Sequence, residues 1–471
     1  MVFSSPYFVF IFLRAALLLC LPWRGVPFRW IVFFTSLIFY FWSSGRSVFL
    51  LLGVIVLNFI GGRIVERATN RAPFVALVVM NVAVLFWFKY LGFTLTNFDA
   101  VFGTGLAHVV RPVALPAGIS FFVFQGISYL TDIRRREIRA DRSFSLYGAY
   151  QAFFPHLIAG PIVRYRDVIG DFLAPKISSE LFAIGVTRFV HGLFKKVVIA
   201  DTIAPIADAS FALQAGEMHF AAGWIGATAY ALQIYFDFSG YSDMAIGLAA
   251  MFGIRFTENF SRPYVSRSIT EFWRRWHITL SSWFRDYVYI PLGGSRHGAL
   301  VTTRNLLIVF VVTGLWHGAA MTFLAWGLYH GAFLVIERLV FGERRDAMGN
   351  AAWRYCYALP VVIFGWVLFR SGTIDQALTI WRQMLNPLSL IGHQDFWSLM
   401  PGFTPVRAAV FLAACLIFVV PGRTSFGLAL MNDPKGALWR AGNLAYTFGA
   451  LALAIVVVLT SSYSPFLYFA F

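Results

Sequence analysis

The sequence predicts an all-α fold, a polytopic transmembrane helical bundle, and three observations carry that prediction. The chain of 471 residues is 59% hydrophobic and only 13% charged, whereas soluble domains are about half apolar and a quarter charged. A bilayer core needs roughly 20 apolar residues per helix, and about 11–12 such stretches follow one another. They lack the strand-period alternation of an outer-membrane barrel. This composition excludes a water-soluble enzyme and a disordered chain.

The predicted membrane segments are apolar runs separated by polar or basic loops. They lie near residues 7–22, 30–43, 46–60, 74–92, 113–130, 181–200, 222–252, 302–316, 319–341, 355–370, 407–421 and 443–461. The first run contains Arg14 and has no basic region before it, which is typical of a retained membrane helix and not of a cleaved signal peptide. No polar stretch is long enough for a soluble domain, so the bundle is expected to form the whole protein.

The formal net charge of +16 lies in short loops between apolar runs, so it indicates topology and not binding of nucleic acid. The arginines of 63–71 and the basic segment 131–142 are expected on the cytoplasmic side. The acidic loop 201–220 has no Lys or Arg and is expected on the outside. Lys195 and Lys196 conflict with this, unless their helix is tilted or broken and the lysines face a polar cavity.

Residues 151–175 interrupt the pattern of regular membrane helices. Within FPHLIAGPIVRY, Pro155, Gly160 and Pro161 break an apolar run that is too short to span a bilayer as a helix. Irregular backbone at membrane depth persists only where protein or water satisfies its polar groups. We therefore expect a re-entrant segment beside a cavity.

A second unusual stretch, 257–298, predicts an interfacial helix that starts at a Ser268 cap. Its apolar face would comprise Phe272, Trp273, Trp276, Leu280 and Trp283, with Arg274, Arg275 and Arg285 turned away from it. These arginines fit two roles equally well, anchoring to anionic lipid and binding the phosphates of a charged cosubstrate.

His317 interrupts two long apolar runs in GLWHGAAMTFLAWGLYHG, and an ionisable residue at membrane depth points to function. Its small neighbours, Gly314 and Gly318, would leave room for a substrate. Imidazole is suited to take a proton from a hydroxyl that attacks a carbonyl. His277 lies in an adjoining segment, whereas for His330 and His156 we favour a packed, hydrogen-bonded histidine.

Other site chemistries find little support in the sequence. The histidines lack H-x-x-x-H or HExxH spacing and have no acidic residue at ligand spacing, so we expect no metal site. The odd number of cysteines, 3, argues against a disulfide framework. No G-x-S-x-G elbow, P-loop or Rossmann glycine pattern occurs. The ending SSYSPFLYFAF with Tyr463 and Tyr468 is typical of an aromatic belt, or its phenol reaches the histidine and accepts an acyl group.

Five long segments together resemble the membrane-bound O-acyltransferase family, and within it the bacterial branch of alginate O-acetylation. They are LPAGISFFVFQGISYLTDIRRREI from Leu115, FPHLIAGPIVRY from Phe154, FDFSGYSDMAIG from Phe236, FWRRWHITLSSWFRDYVYIPLGGSR from Phe272 and GLWHGAAMTFLAWGLYHG from Gly314. The likeness covers nearly the whole chain in the same order. It implies a helical bundle with a central funnel or tunnel that moves an acyl group from a thioester to a hydroxyl.

The resemblance also implies roles for individual residues. The family's catalytic histidine corresponds to His317, and a second polar position corresponds to His277. In related envelope acylation systems a C-terminal tyrosine carries the acyl group, a role that falls to Tyr468. Acetyl-CoA would dock from the cytoplasm with its phosphates at Arg274 and Arg275.

The implied protein is a multi-pass O-acetyltransferase of the bacterial inner membrane, surrounded by lipid. A periplasmic SGNH-type acetyltransferase would then place the acetyl group on an exported polysaccharide. The whole chain, 1–471, would be one acyltransferase domain, with scaffold helices in 1–100, a catalytic core in 113–341 and C-terminal helices and tail in 353–471.

Two alternatives remain at this point. The first is D-alanyl or other acyl transfer to teichoic acid or peptidoglycan. The second is a transporter whose histidines relay protons. The FWRRWH and LWHG pair favours an acyltransferase, and the chain has no inverted half-repeat of the kind found in many carriers.

Overall fold

The computed structural model describes residues 2–110, 113–342, 353–390, 402–419, 437–460 and 466–467. Within these ranges the regular secondary structure is helical and no strand occurs. Every predicted membrane stretch contains helix, so the all-α prediction is confirmed. The chain divides into two compact units.

The first unit holds the described residues of Met1–His191, Tyr241–Glu258 and Val458–Phe469. Its helices are Phe8–Phe12, Leu13–Cys20, Gly25–Ser44, Gly45–Ser47, Val48–Arg67, Ala72–Leu85, Phe86–Tyr90, Leu91–Phe102, Leu106–Val109, Ile119–Arg134, Phe144–Ala152, Phe154–Leu157 and Tyr165–Leu173.

The second unit holds the described residues of Gly192–Gly240 and Asn259–Val457. Its helices are Lys195–Ala200, Asp201–Phe211, Pro263–Val265, Ile269–Arg275, Ile278–Phe284, Arg285–Tyr289, Gly298–His317, Met321–Phe341, Trp353–Arg370, Ile374–Met384, Pro387–Leu390 and Pro405–Val419. Three helices supply residues to both units: Ser179–Phe194, Phe220–Met251 and Ala437–Thr460.

Several of these helices are suited to a bilayer by length and composition. Among the described residues, 5 helical segments are long and apolar enough to span it: Gly25–Arg67, Ala72–Phe102, Gly298–His317, Met321–Phe341 and Arg440–Thr460. Phe8–Cys20, Cys356–Arg370 and Pro405–Phe418 are shorter apolar helices. Large apolar side chains such as Phe49, 70% exposed, cover their outer faces, as lipid contact requires.

The two basic segments of the first unit, 63–71 and 131–142, contact each other directly, and Arg63 and Glu66 lie at the end of helix Val48–Arg67. The Arg63 guanidinium donates to the backbone carbonyls of Asp141, at 3.2 Å, and Arg142, at 2.9 Å. Arg142 in turn lies 2.5 Å from the Glu66 carboxylate. Both segments therefore lie on one side, as predicted. That this side is cytoplasmic stays a prediction.

The interrupted segment is irregular, as expected from its sequence. A helix ends at Ala152, a single turn covers Phe154–Leu157, and regular structure resumes at Tyr165. The ring of His156 is buried and its Nε2 lies 2.8 Å from the Tyr150 carbonyl. The packed, hydrogen-bonded role expected of His156 is confirmed.

Buried ion pairs explain why charge counting misreads the helix around Lys195 and Lys196. The helix changes to a π-helix over Lys195–Ala200, and both lysines are buried. Lys196 Nζ lies 2.7 Å from Asp237 Oδ1 and 2.8 Å from Asp201 Oδ1. Because this ammonium is neutralised inside the second unit, it carries no information on topology.

A similar pair holds the first unit together. The side chain of Arg188, 2% exposed, lies 2.5 Å from Asp243 and 2.7 Å from Glu258. The backbones meet closely nearby, since a Cβ on Gly247 would lie 2.6 Å from the Gly185 carbonyl oxygen. Small residues that allow such approach are typical of packed membrane helices.

Candidate active site

His317 is the last residue of helix Gly298–His317 and lies in the second unit. It is buried, with 4% of its surface exposed. Its ring centroid lies 4.9 Å from Trp316, 5.1 Å from Trp326 and 5.2 Å from Phe369. The imidazole predicted to be catalytic is thus enclosed largely by aromatic rings.

Glycines bring the two helices around His317 into backbone contact. A Cβ on Gly314 would lie 2.3 Å from the Phe323 carbonyl oxygen, and one on Gly327 would lie 2.3 Å from that of Phe310. A Cβ on Gly318 would lie 2.1 Å from the Phe323 ring. The expectation that small neighbours leave room for a substrate is therefore wrong, because Phe323 and its backbone fill that space.

The predicted continuous helix after Ser268 is also wrong, although its start is right. The Ser268 hydroxyl accepts the Glu271 N–H at 3.0 Å, as a cap does. The helix ends at Arg275, and His277 then adopts the left-handed conformation, φ +44°. Such a backbone costs on the order of 1–3 kcal/mol for a residue other than glycine and clusters at functional sites.

Asn259 holds His277 in this conformation and was not singled out from the sequence. Its Oδ1 lies 3.0 Å from His277 Nδ1 and accepts the Thr279 hydroxyl at 2.8 Å. Its backbone carbonyl accepts the Ile278 N–H at 2.9 Å. The sequence signal that could have indicated this role is a single asparagine in the irregular stretch before FWRRWH.

Glu337 was missed as well, and it positions the helix that leads to His277. This carboxylate is buried, lies on helix Met321–Phe341, and accepts the N–H groups of Ile269 at 2.5 Å and Thr270 at 2.9 Å. A carboxylate at a helix N-terminus accepts hydrogen bonds from the first backbone N–H groups, which have no partner within the helix, and it complements the helix dipole.

The structure brings the two predicted catalytic histidines to one aromatic ring. Trp316 lies 6.0 Å from His277 and 4.9 Å from His317, centroid to centroid. His277 is fully buried and lies outside the candidate spans. Burial lowers its pKa to about 3, so its imidazole is neutral at physiological pH and donates or accepts hydrogen bonds without charge.

The two arginines expected to bind phosphate differ in their surroundings. Arg274 is exposed. Arg275 lies 2.7 Å from Glu271 and donates to the Ser261 carbonyl at 3.2 Å. Arg275 therefore stabilises its own turn, and Arg274 is the more accessible cation.

The proposed acyl carrier Tyr468 lies outside the described residues, as does Tyr463. Of the two described residues before Tyr468, Phe466 is buried in the first unit with its ring 4.6 Å from Tyr241. The expected carrier role stays a prediction.

Neither a metal cage nor a cystine is found where the chain is described. No group of 3 or more His, Cys, Asp or Glu side chains is arranged to hold a metal ion in these ranges. Cys20, Cys356 and Cys415 are free thiols.

Comparison with known proteins decides the family. The model of the membrane-bound O-acyltransferase family matches residues 108–373, a range that includes His277 and His317. The chain belongs to the membrane-bound O-acyltransferase family. It is therefore a multi-pass membrane O-acyltransferase.

Curated relatives extend the likeness over the whole chain. The protein is 40% identical to a probable alginate O-acetylase of Azotobacter vinelandii, over 100% of both chains. It is 35% identical to a peptidoglycan O-acetyltransferase of Helicobacter pylori, over 83% of this chain and 81% of the relative. It is 28% identical to a teichoic acid D-alanyltransferase of Bacillus subtilis, over 54% of this chain and 68% of the relative.

Replacing Asn259 by Ala in this O-acyltransferase is expected to lower kcat about 10- to 100-fold, since small misplacements of a reacting group have costs of this size. The change removes the side-chain oxygen that contacts His277 Nδ1 and the Thr279 hydroxyl, while the backbone hydrogen bond to Ile278 remains. Steady-state kinetics of purified protein measure it. Asn305→Ala is the matched control: Asn305 is also buried but donates to the Leu292 and Gly294 carbonyls, so kcat per folded molecule should hold. Equal kcat in both variants would contradict the role of Asn259.

Proposed function

We propose that the protein transfers an acetyl group from cytoplasmic acetyl-CoA across the bacterial inner membrane, for O-acetylation of an exported, alginate-like polysaccharide. The observation that carries this is the 40% identity to a probable alginate O-acetylase over the full length of both chains. Identity falls to 28% over about half of the chain for a teichoic acid D-alanyltransferase. This order favours acetyl over D-alanyl as the group transferred.

His317 acts as the general base in this proposal. Its neutral imidazole takes the proton from an attacking hydroxyl, whose oxygen bonds to the thioester carbonyl carbon. The tetrahedral intermediate then expels the CoA thiolate, which takes the same proton back from His317. Such proton transfer typically contributes about 10²–10⁴ in rate.

His277 is a positioning residue that orients the reacting groups or stabilises charge beside His317. Its support is the strained backbone, the hydrogen bond to Asn259 and the shared contact with Trp316. Neutral His277 adds no positive charge beside His317.

The donor would enter by a funnel from the cytoplasmic side with its phosphates near Arg274, which is exposed. Arg275 would support that cation by fixing the turn through Glu271. Arginine favours phosphate because its planar fork offers several donors at once.

The acceptor of the first transfer would be the phenol of Tyr468, which becomes an acetyl ester as CoA leaves as a thiol. A periplasmic SGNH-type acetyltransferase would pass the acetyl group on to the polysaccharide.

Tyr468→Phe keeps the ring and deletes the hydroxyl, so polysaccharide acetylation in cells should fall to background. The measurement is acetyl content of exported polysaccharide at matched protein level in the membrane. Tyr463→Phe is the control, because it removes a nearby phenol and should leave acetylation unchanged. Normal acetylation in Tyr468→Phe would return this residue to the aromatic belt.

The donor is tested with the purified full chain in liposomes supplied with acetyl-CoA. Release of CoA thiol and labelling of the protein with the acetyl group are both expected. Labelling by a D-alanyl thioester and not by acetyl-CoA would reject acetyl transfer in favour of the teichoic acid alternative.

A further inference from the structure

His330 differs from an ordinary packed histidine. It is fully buried on helix Met321–Phe341. Its ring centroid lies 5.2 Å from Trp273, 5.2 Å from Trp326 and 5.3 Å from Tyr329. Neither of its ring nitrogens has a hydrogen-bond partner among the described residues. His330 is packed, as expected, but the hydrogen bond expected for it is absent among the described residues, whereas His156 makes one.

Two neighbouring indoles share this property. The Nε1 atoms of Trp273 and Trp326 are buried and also lack acceptors in the described part of the chain. Their ring centroids lie 5.5 Å apart. Since buried polar groups are nearly always hydrogen-bonded, three adjoining rings without partners indicate a ligand atom that the protein does not itself supply.

The chemistry of the three rings selects an oxygen acceptor. Each indole offers only an N–H donor, and a neutral imidazole offers one N–H donor and one acceptor. The cluster thus presents three donors and carries no formal charge. A carbonyl oxygen is the group that such donors suit best, and they stabilise it further when it becomes an oxyanion.

The cluster adjoins the proposed base. The Trp326 ring lies 5.1 Å from His317 and 5.2 Å from His330, in edge-to-face geometry at 88° and 71°. Trp326 is fully buried. The Trp326 donor thus belongs to a ring that contacts the proposed base, and the donors of Trp273 and His330 belong to rings that contact Trp326.

Backbone packing fixes the position of His330. A Cβ on Gly365 would lie 2.6 Å from His330 Nε2 and 3.3 Å from the Tyr329 ring. Helix Trp353–Arg370 therefore passes directly over the imidazole and limits its rotation. A preorganised donor is what stabilisation of a developing charge requires.

We propose that Trp273, Trp326 and His330 bind the carbonyl oxygen of the acyl group while it is transferred beside His317; this rests on the proposed function. As the acceptor hydroxyl bonds to the thioester carbon, the π electron pair moves to that oxygen, and the three N–H groups hold the oxyanion. When the C–S bond breaks, the pair returns to re-form the carbonyl. The proton passes from the hydroxyl through His317 to the departing thiolate.

Trp326→Phe tests the proposal because it retains a ring and removes one donor. With acetyl-CoA and purified full chain, kcat should fall about 10²-fold while KM stays within about twofold, as for loss of one oxyanion donor. His330→Phe and Trp273→Phe should act in the same direction. Trp381→Phe is the matched control, since the Trp381 N–H donates to the Phe364 carbonyl at 3.0 Å, and its kcat should be unchanged.

A second measurement uses the unmodified protein and so does not depend on variants that fold. S-ethyl-CoA replaces the carbonyl by a methylene, and it should bind at least about tenfold more weakly than acetyl-CoA, because it leaves the donors unpaired. Equal binding of the two, or unchanged kcat in the three ring variants, would overturn the proposal. Those results would assign the cluster to a structural water or to weak N–H···π contacts.

Failure of the proposed function gives a different result. If the unmodified protein does not turn over acetyl-CoA, the donor assignment is wrong. The same variants are then compared with the acyl thioester that the protein does use, since every acyl thioester has the carbonyl oxygen.

Discussion

Replacing His317 by Ala is expected to lower acyl transfer by about 10²–10⁴-fold, the usual contribution of a general base. The variant should still accumulate in the membrane, because alanine is compatible with the last turn of helix Gly298–His317, where His317 lies. Transfer is measured as CoA thiol release by purified protein. His317→Gln should be equally inactive, since an amide hydrogen-bonds but does not take up a proton near neutral pH.

The control for this prediction is a second buried histidine of the same unit. His219 Nδ1 accepts the Ala222 N–H at 3.4 Å, at the start of helix Phe220–Met251. His219→Asn can retain such a cap and should keep its activity per folded molecule. Full activity of His317→Ala would remove His317 from the mechanism, whatever the effect of the control.

Composition and local pattern were sufficient to predict the helices and the breaks between them. Apolar runs gave the helical stretches because the period and length of such runs are local properties. The Ser268 cap and the irregular segment after Ala152 were predictable for the same reason, since capping residues, proline and glycine act on their own turn.

The errors arose where a distant residue decides the local structure. The aromatic face after Ser268 fits a continuous helix, yet Asn259 holds a break at His277 through a contact across 18 residues. Glu337 fixes the start of the preceding helix through a contact across 68 residues. Gly314 in the sequence predicts open space beside His317, but the structure shows that Phe323 and its backbone fill this space. A single sequence shows which residue types can make such contacts, but it does not show which distant residues they contact.

The lysines at 195 and 196 show the same limit for electrostatics. Charge counting treats Lys196 as solvated and hence as a topology signal. Its side chain is 2% exposed and contacts two carboxylates from Asp201 and Asp237. A buried charge is tolerated only when it is paired, so the pair must form as the helices assemble.

Lys196→Met is accordingly expected to destabilise the protein by about 3–5 kcal/mol, the range found when one partner of a buried ion pair is removed. The change withdraws the ammonium that both carboxylates contact and leaves Asp201 and Asp237 to repel each other. Asp237→Asn should cost less, because Lys196 keeps Asp201 at 2.8 Å. The free energy of unfolding of purified protein in mixed detergent measures both.

The pair of Arg285 and Asp286, with N and O 2.7 Å apart and side chains 61% and 14% exposed, supplies the control, because the cation that is replaced lies at the surface. Arg285→Gln should change the free energy of unfolding by no more than about 1 kcal/mol, as for other surface pairs. The double variant Lys196→Met with Asp237→Asn should recover part of the loss, because it removes one of the two repelling carboxylates. Equal stability of Lys196→Met and Arg285→Gln would mean that water reaches Lys196, and the lysine would again count as a signal of topology.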